Sequence, residues 1–311
     1  MNDYLAFALG LVCAGAGGEL FVRGTVGMAT AARISPGIIA ATVAAFATSS
    51  PELTIAISSS LAGTPEISLG NALGGNMMTI ALILGLAVLI SAINVPTEAA
   101  KRDVPIAMLV PVTIGVLLLD GRITRVEGWI LLAGFCVWLS LMVKEARTQR
   151  SAAAGLLGER NPLYAVLESA AGLGLLVAAG NLIVSGGSAM AYQFGLSDFV
   201  VGATIVALGT SAPELATVLI SKLRGQDEVG IGAIVGSNIF NGLFVIGVAA
   251  AITPININLK SAAPALAFGL VALVLVYPPR TRTILRWRGA MLLAAYAIYV
   301  AVILQLGDAG Y

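Results

Sequence analysis

The chain has 311 residues, of which 58% are hydrophobic and only 11% charged, and its mean hydropathy is +0.96. A soluble domain of this length could not hide so much apolar surface, and the apolar residues fall in blocks long enough to cross a bilayer. The net charge is +1, with no basic stripe carrying interleaved aromatics, so a nucleic-acid partner is excluded. Histidine is absent, which removes the commonest zinc or copper ligand and the commonest proton shuttle.

These blocks predict an all-α membrane protein with ten transmembrane helices and the lipid bilayer as its solvent. The spans lie near 4–22, 36–61, 68–92, 104–119 and 127–143, then 163–184, 198–221, 229–253, 262–277 and 288–306. Met1-Asn2-Asp3 carries no basic segment ahead of the first block, so that block reads as a span and not as a cleavable signal. Cys13 and Cys136 fall inside spans and are expected to be buried free thiols. The longest connection, about 144–162, is polar and joins two halves. The expected organisation is a five-helix repeat over 1–149, a cytoplasmic linker over 150–162 and a second five-helix repeat over 163–311.

The halves are copies. Adding 162 to a first-half residue number gives its counterpart: Gly24 and Gly186, Ser35 and Ser197, Thr42 and Thr204, Gly63 and Gly225, Gly74 and Gly236, Asn76 and Asn238. Five spans is an odd number, so the second copy must enter the membrane from the opposite side. The basic residues agree. With the N-terminus outside, 14 of the 17 fall in inner loops, and only Arg122, Arg125 and Lys260 lie outside. Both termini are therefore expected outside, in an inverted-repeat transporter whose site lies near the midplane.

The central motifs are Thr48-Ser49-Ser50-Pro51-Glu52-Leu53 and Thr210-Ser211-Ala212-Pro213-Glu214-Leu215, each inside an apolar block. Pro51 leaves the carbonyl of Ala47 without its helical N–H donor, and Pro213 does the same to Gly209. Such backbone is tolerated at membrane depth only where it is buried in protein or lines a polar cavity. Glu52 and Glu214 are the strongest candidates for a cation site, because an ionisable residue inside a span is functional by default. Thr48, Ser49, Thr210 and Ser211 precede them by three or four residues on roughly the same helical face. Their hydroxyls can ligate sodium or calcium, or bond back to carbonyls at the break. On one face of the eighth span, Ser237 and Asn241 can also reach a cation. Their counterparts Gly75 and Thr79 are poorer in ligands, so the site is expected to be asymmetric. Glu19, four residues before Arg23, reads as half of an interfacial ion pair, and Met77-Met78 as packing.

Residues 42–85 and 204–247 resemble the paired alpha-repeats of the cation/calcium exchanger superfamily, most closely its sodium/calcium exchanger branch. The residues that carry this are Ala47 to Leu53 with Gly70-Asn71 and Gly74, and Gly209 to Leu215 with Gly236 to Asn241. The two repeats run over about 36–92 and 198–253. The resemblance implies electrogenic exchange of several sodium ions for one calcium in the cell membrane, by a monomer with no cofactor. It implies Glu52 and Glu214 as shared ligands, with oxygen from Ala45, Thr48, Ser49, Ala207, Thr210, Ser211 and Ser237. The first and sixth spans would slide across a bundle of the other eight. Three positions depart from the pattern: Gly75 where serine is frequent, Thr79 where asparagine is common, and Asn241 where many members carry aspartate.

Sodium/calcium antiport is the first reading, and proton/calcium antiport on the same fold the alternative. An intramembrane hydrolase lacks an activated nucleophile or histidine here, and the duplicated site suits alternating access better than chemistry; a passive channel would conduct without coupling, which calcium flux against its gradient would rule out.

Overall fold

The computed structural model describes residues 3–152, 161–193, 211–278 and 280–308. Apart from four two-residue strands, all its regular elements among these residues are helical. The helices are α1 (Asp3–Ala32), α2 (Pro36–Thr48), α3 (Ser50–Leu61), α4 (Pro65–Ile90), α5 (Ala99–Asp120), α6 (Arg125–Ala152), α7 (Pro162–Gln193), α8 (Ala212–Leu223), α9 (Asp227–Ile252), α10 (Leu259–Val276) and α11 (Arg286–Asp308). Eight of them are long and apolar enough to cross a membrane, and α2 with α3 forms a ninth, bent by 45°. The expected seventh span, 198–221, falls largely outside the described residues, with α8 as its described part.

The ends of several spans differ from expectation. Helix α1 runs to Ala32, not residue 22, because Gly24, Thr25, Gly27 and Ala29 remain buried. Helix α4 starts at Pro65, where proline suits a first turn. Helix α6 runs through much of the supposed polar connection. Lys144-Glu145-Ala146-Arg147 are good helix formers, and Gln149 Nε2 donates to Glu145 Oε1 one turn back.

α4 and α9 are the most enclosed helices, and α11 the least. Close approach around α9 comes from its glycines. A Cβ on Gly236 would lie 2.2 Å from the carbonyl oxygen of Ala41, and one on Gly232 2.5 Å from that of Gly37. Only a residue without a side chain lets α2 and α9 touch backbone to backbone. The apolar core runs continuously from α4 and α9 into α5, α6 and α10, with Phe244 stacked on Phe240 and Phe135 set edge-on to Phe240 and tilted against Phe244.

Contacts recur in pairs between the halves. Helices α1 and α7 are antiparallel: Gly10 meets Ile183, Gly17 meets Leu175, Gly24 meets Ser169 and Gly186 meets Asp3. Strand β1 (Ile93–Asn94) pairs with β4 (Thr283–Ile284), and β2 (Arg122–Ile123) with β3 (Ile255–Asn256). Gly128 packs on Gly247, and Gly289 on Gly85, which precedes Gly247 by the repeat distance. Gly63 and Gly225, also counterparts, both turn with positive φ, 81° and 68°.

Two minor expectations need correction. Glu19 pairs with Arg224 at 2.6 Å instead of with Arg23, which lies 3.9 Å from Glu168. Both pairs join different helices, a register that spacing within one helix does not reveal. Cys136 is exposed on the outer face of α6 and Cys13 is half-buried, although both are free. In a membrane the outer face is apolar too, so hydrophobicity alone does not select burial. Met77 and Met78 are buried in the core, as expected.

Candidate cation site

The site begins at two equal breaks. Ser49 has φ −89° and ψ 10°, and Ser211 φ −89° and ψ 9°. Neither is α-helical, and each is followed within two residues by a proline in the first turn of the next helix. The Ala47 carbonyl, deprived of a backbone donor by Pro51, is not left open. Ser50 Oγ donates to it at 2.5 Å. The counterpart of Ser50 is Ala212, which has no hydroxyl, and Gly209 lies outside the described residues.

One residue beyond each proline stands a glutamate. Glu52 and Glu214 are 6% and 3% exposed, and the Oε2 atom of each has no hydrogen-bond partner. They are close enough for their charges to act on each other, and the Thr48 hydroxyl lies against the Glu214 carboxylate. Neither forms an ion pair among the described residues. Two buried carboxylates within range of each other's charge are costly, and each has an oxygen without a hydrogen-bond partner.

The central helices supply the surroundings. Both α4 and α9 widen into π-type turns at equivalent positions, Met78–Leu84 and Phe240–Val245. Such turns are frequent at functional sites. Helix α3, carrying Glu52, packs on the second of these turns, and α8, carrying Glu214, packs on the first. Thr79 and Asn241 lie in these turns and are buried.

Four polar residues then join α4 to α9. Asn76 Nδ2 donates to the Asn238 carbonyl at 3.1 Å, and Asn241 Nδ2 to Asn76 Oδ1 at 3.1 Å. Asn238 Nδ2 donates to Thr79 Oγ1 at 3.0 Å and to the Ile234 carbonyl at 2.9 Å, while Thr79 donates to the Asn76 carbonyl at 3.1 Å. Asn76 and Asn238 are repeat counterparts, as are Thr79 and Asn241, so each asparagine amide reaches into the other half. Asn241 Oδ1 is left buried without a partner.

Of the expected ligands, Ser49 is fully buried with its Oγ unpartnered. Ser211 is buried beside the second break. Thr48 donates to the Ala45 carbonyl at 3.3 Å, so it bonds back within the last turn before the break, with its hydroxyl near Glu214. Ser237 is buried and bonds back to the Ile234 carbonyl at 3.1 Å. Thr210 and Ala207 lie outside the described residues. Asn76 and Asn238 are also part of the site, although neither is among the ligands expected from the sequence. The signal was their exact repeat correspondence beside Thr79 and Asn241. The acceptors without a partner at the site are thus Ser49 Oγ, Glu52 Oε2, Glu214 Oε2 and Asn241 Oδ1, all hard oxygens and two of them on carboxyl groups. That donor chemistry suits sodium or calcium and offers nothing for a soft metal.

Comparison with known proteins agrees with this reading. The family model "Sodium/calcium exchanger protein" matches residues 3–144 and again residues 164–305. The putative antiporter CaxA of Alkalimonas amylolytica is 37% identical over 296 residues, covering 90% of this chain and 92% of that protein. Sodium/calcium exchanger MaX1 of Methanosarcina acetivorans is 24% identical, over 98% of this chain and 99% of its own length. A solved structure of the sodium-calcium exchanger NCX_Mj, soaked with Na+ and Sr2+, superposes with a TM-score of 0.83 at 29% identity, covering 96% of this chain and 97% of that one.

Proposed function

Because the chain belongs to the sodium/calcium exchanger family, we propose that it is a secondary antiporter that exchanges sodium for calcium across the cell membrane by alternating access. It is a multi-pass membrane transporter and not an enzyme. Its substrates are transported ions, and no cofactor is indicated. The observation that carries the reading is the pair of enclosed glutamates, each with an oxygen free and without a basic partner. One divalent cation, or two monovalent ones, entering between them neutralises both carboxylates.

In this reading Glu52, Glu214, Ser49, Ser211, Thr48, Thr210, Ser237 and Asn241 hold the ions, with carbonyl oxygen from Ala45 and Ala207 and with Thr79 beside them. Ten spans form two inverted five-helix repeats, and a monomer carries the whole site. The antiparallel α1–α7 pair, the exchanged strand pairing and the two-part family match support the inversion. Helices α1 and α7, joined to each other through glycines, move together past the bundle to change access.

Purified protein in vesicles should take up calcium against its gradient when sodium is placed on the opposite side. Uptake that follows only an imposed pH gradient, without sodium, would assign the counter-ion to protons. Loss of calcium movement under both gradients would refute the antiport.

The orientation is tested separately. In a Cys13→Ala, Cys136→Ala background, a label on Gly155→Cys should be reached only from the cytoplasm and one on Ala309→Cys only from outside. Labels reached from the same side would break the five-span repeat.

A further inference from the structure

We propose that Gln149, set in place by Glu145 and Arg102, is a latch on the joint between α1 and α2 that favours the facing state seen here over the opposite one. The inference rests on the antiport reading above, with α1 as a moving helix, and concerns residues outside the ion site.

Helix α1 ends without slack. The Arg33 amide donates to the Thr30 carbonyl at 3.1 Å, and the Ile34 amide to the Ala29 carbonyl at 3.0 Å. Arg33 turns with φ 60°, which completes a closed cap of the kind that usually ends on glycine. Just beyond, the Gly37 carbonyl of α2 lies against Gly232 of α9. Ser35 is thus where a helix that slides meets one packed backbone to backbone on the bundle. Its amide shares a peptide bond with Ile34, so it cannot stay behind when α1 moves. That amide donates to Gln149 Oε1 of α6 at 2.8 Å. Such bonds hold only over about 2.7–3.2 Å, so a slide of α1 breaks this one unless Gln149 follows.

Gln149 is not free to follow. Its Nε2 donates to Glu145 Oε1 at 3.1 Å, and Glu145 Oε2 is paired with Arg102. Arg102 in turn grips both oxygens of Asp103, at 2.7 and 2.9 Å, and the Trp138 indole donates to Asp103 at 3.0 Å. Asp103 and Trp138 are buried, so the chain is rooted between α5 and α6. The orientation of the Gln149 amide is fixed as well. A backbone N–H can only donate and a carboxylate only accept, so oxygen faces Ser35 and nitrogen faces Glu145.

The second half has no equivalent of this chain. Helix α10 carries no acid and a single basic residue, Lys260, and α11 has no acid before Asp308. In an inverted repeat the two facing states are related by exchanging the halves, so contacts present in both halves favour neither state. A tie present once, at a joint that must move, does favour one.

The test measures calcium-for-calcium exchange, with isotopic calcium as probe, in right-side-out and inverted membrane vesicles from cells producing the full chain. Vesicles from cells without it give the background. The calcium concentration for half-maximal rate is read at each face, with saturating calcium on the other side. Apparent affinity at a face falls when the state open to that face is depopulated. Gln149→Leu should therefore lower the half-saturating concentration at one face and raise it at the other, each by about fivefold. A mere loss of folded protein would lower the maximal rate at both faces and move neither concentration. Glu145→Leu, which leaves Arg102 paired with Asp103, should reproduce the shift. The double variant should add nothing further, since both changes act through one hydrogen bond. Lys101→Ala, at an exposed neighbour of Arg102, should leave both concentrations as in wild type. Unchanged concentrations in Gln149→Leu and Glu145→Leu, or shifts of the same sign at both faces, overturn the latch. Wild-type vesicles that exchange no calcium overturn the antiport reading itself, and the latch falls with it.

Discussion

Glu52→Gln and Glu214→Gln are each expected to reduce calcium exchange to background while the protein still inserts and purifies as wild type. Glutamine keeps the shape and one oxygen acceptor, but removes half of the site's negative charge. A divalent ion held by one carboxylate instead of two loses on the order of 4 kcal/mol of attraction even at a generous effective dielectric, which is about a thousandfold in affinity. The stability should move the other way. In the empty protein each buried carboxylate has an oxygen without a partner, so replacing one with a neutral amide relieves repulsion from the other. Thermal unfolding in a chelator should therefore be unchanged or raised. Calcium at a hundredfold excess over its Kd stabilises the wild-type protein by about 2.7 kcal/mol, and this gain should vanish in both variants. Scintillation counting of vesicle uptake and calcium titration of the melting curve check the two halves. A variant with near-normal exchange, or with a calcium-dependent melting shift, would remove that glutamate from the site.

Much of this was legible in the sequence because membrane depth makes polar residues and prolines conspicuous. Glu52 and Glu214 stood out by burial cost, and the repeat distance of 162 tied them together before any fold was known. The helix breaks were legible for the same reason, since Pro51 and Pro213 leave few alternatives. The details of each break were not. That Ser50 Oγ would close the Ala47 carbonyl depends on a rotamer, and its counterpart Ala212 shows that the solution was not duplicated. The π-type turns at Thr79 and Asn241 could not be foreseen, because widening a helix leaves no mark on apolar periodicity. The link from Asn76 to Asn238 is a tertiary register between α4 and α9, set by how far two glycine-bearing helices slide together. The repeat pairs these two residues in number without saying that they touch. The same limit explains Glu19, whose partner Arg224 is remote in sequence while Arg23 stands one turn away.

Gly172→Val is the other substitution expected to slow transport strongly, and for a reason unrelated to ion ligands. A Cβ at Gly172 would lie 2.4 Å from the backbone nitrogen of Phe21 and 2.8 Å from the carbonyl oxygen of Gly17. Both are backbone atoms of α1, so no side chain can rotate away, and α1 and α7 must part. Gly24 faces the same constraint from the other helix, with its Cβ position 2.4 Å from the Ser169 nitrogen. Two antiparallel helices thus meet at reciprocal glycines, and membrane helices without such close packing have little else to hold them together. Overpacking of this kind costs about 1–3 kcal/mol, so one substitution should lower the melting temperature measurably and spare most of the fold. The effect on transport should be larger than the effect on stability. Helix α1 also packs on α8, which carries Glu214, and Gly18 meets Ala216 and Ile220 there. Displacing α1 therefore disturbs the wall beside one of the two carboxylates. Gly174, whose Cβ position has no atom within 4 Å, is the control on the same helix. Gly174→Val should transport as wild type, with Gly172→Val at least about tenfold slower. Equal rates for the two variants would mean that the glycine seam is incidental and that α1 and α7 need not move as one body.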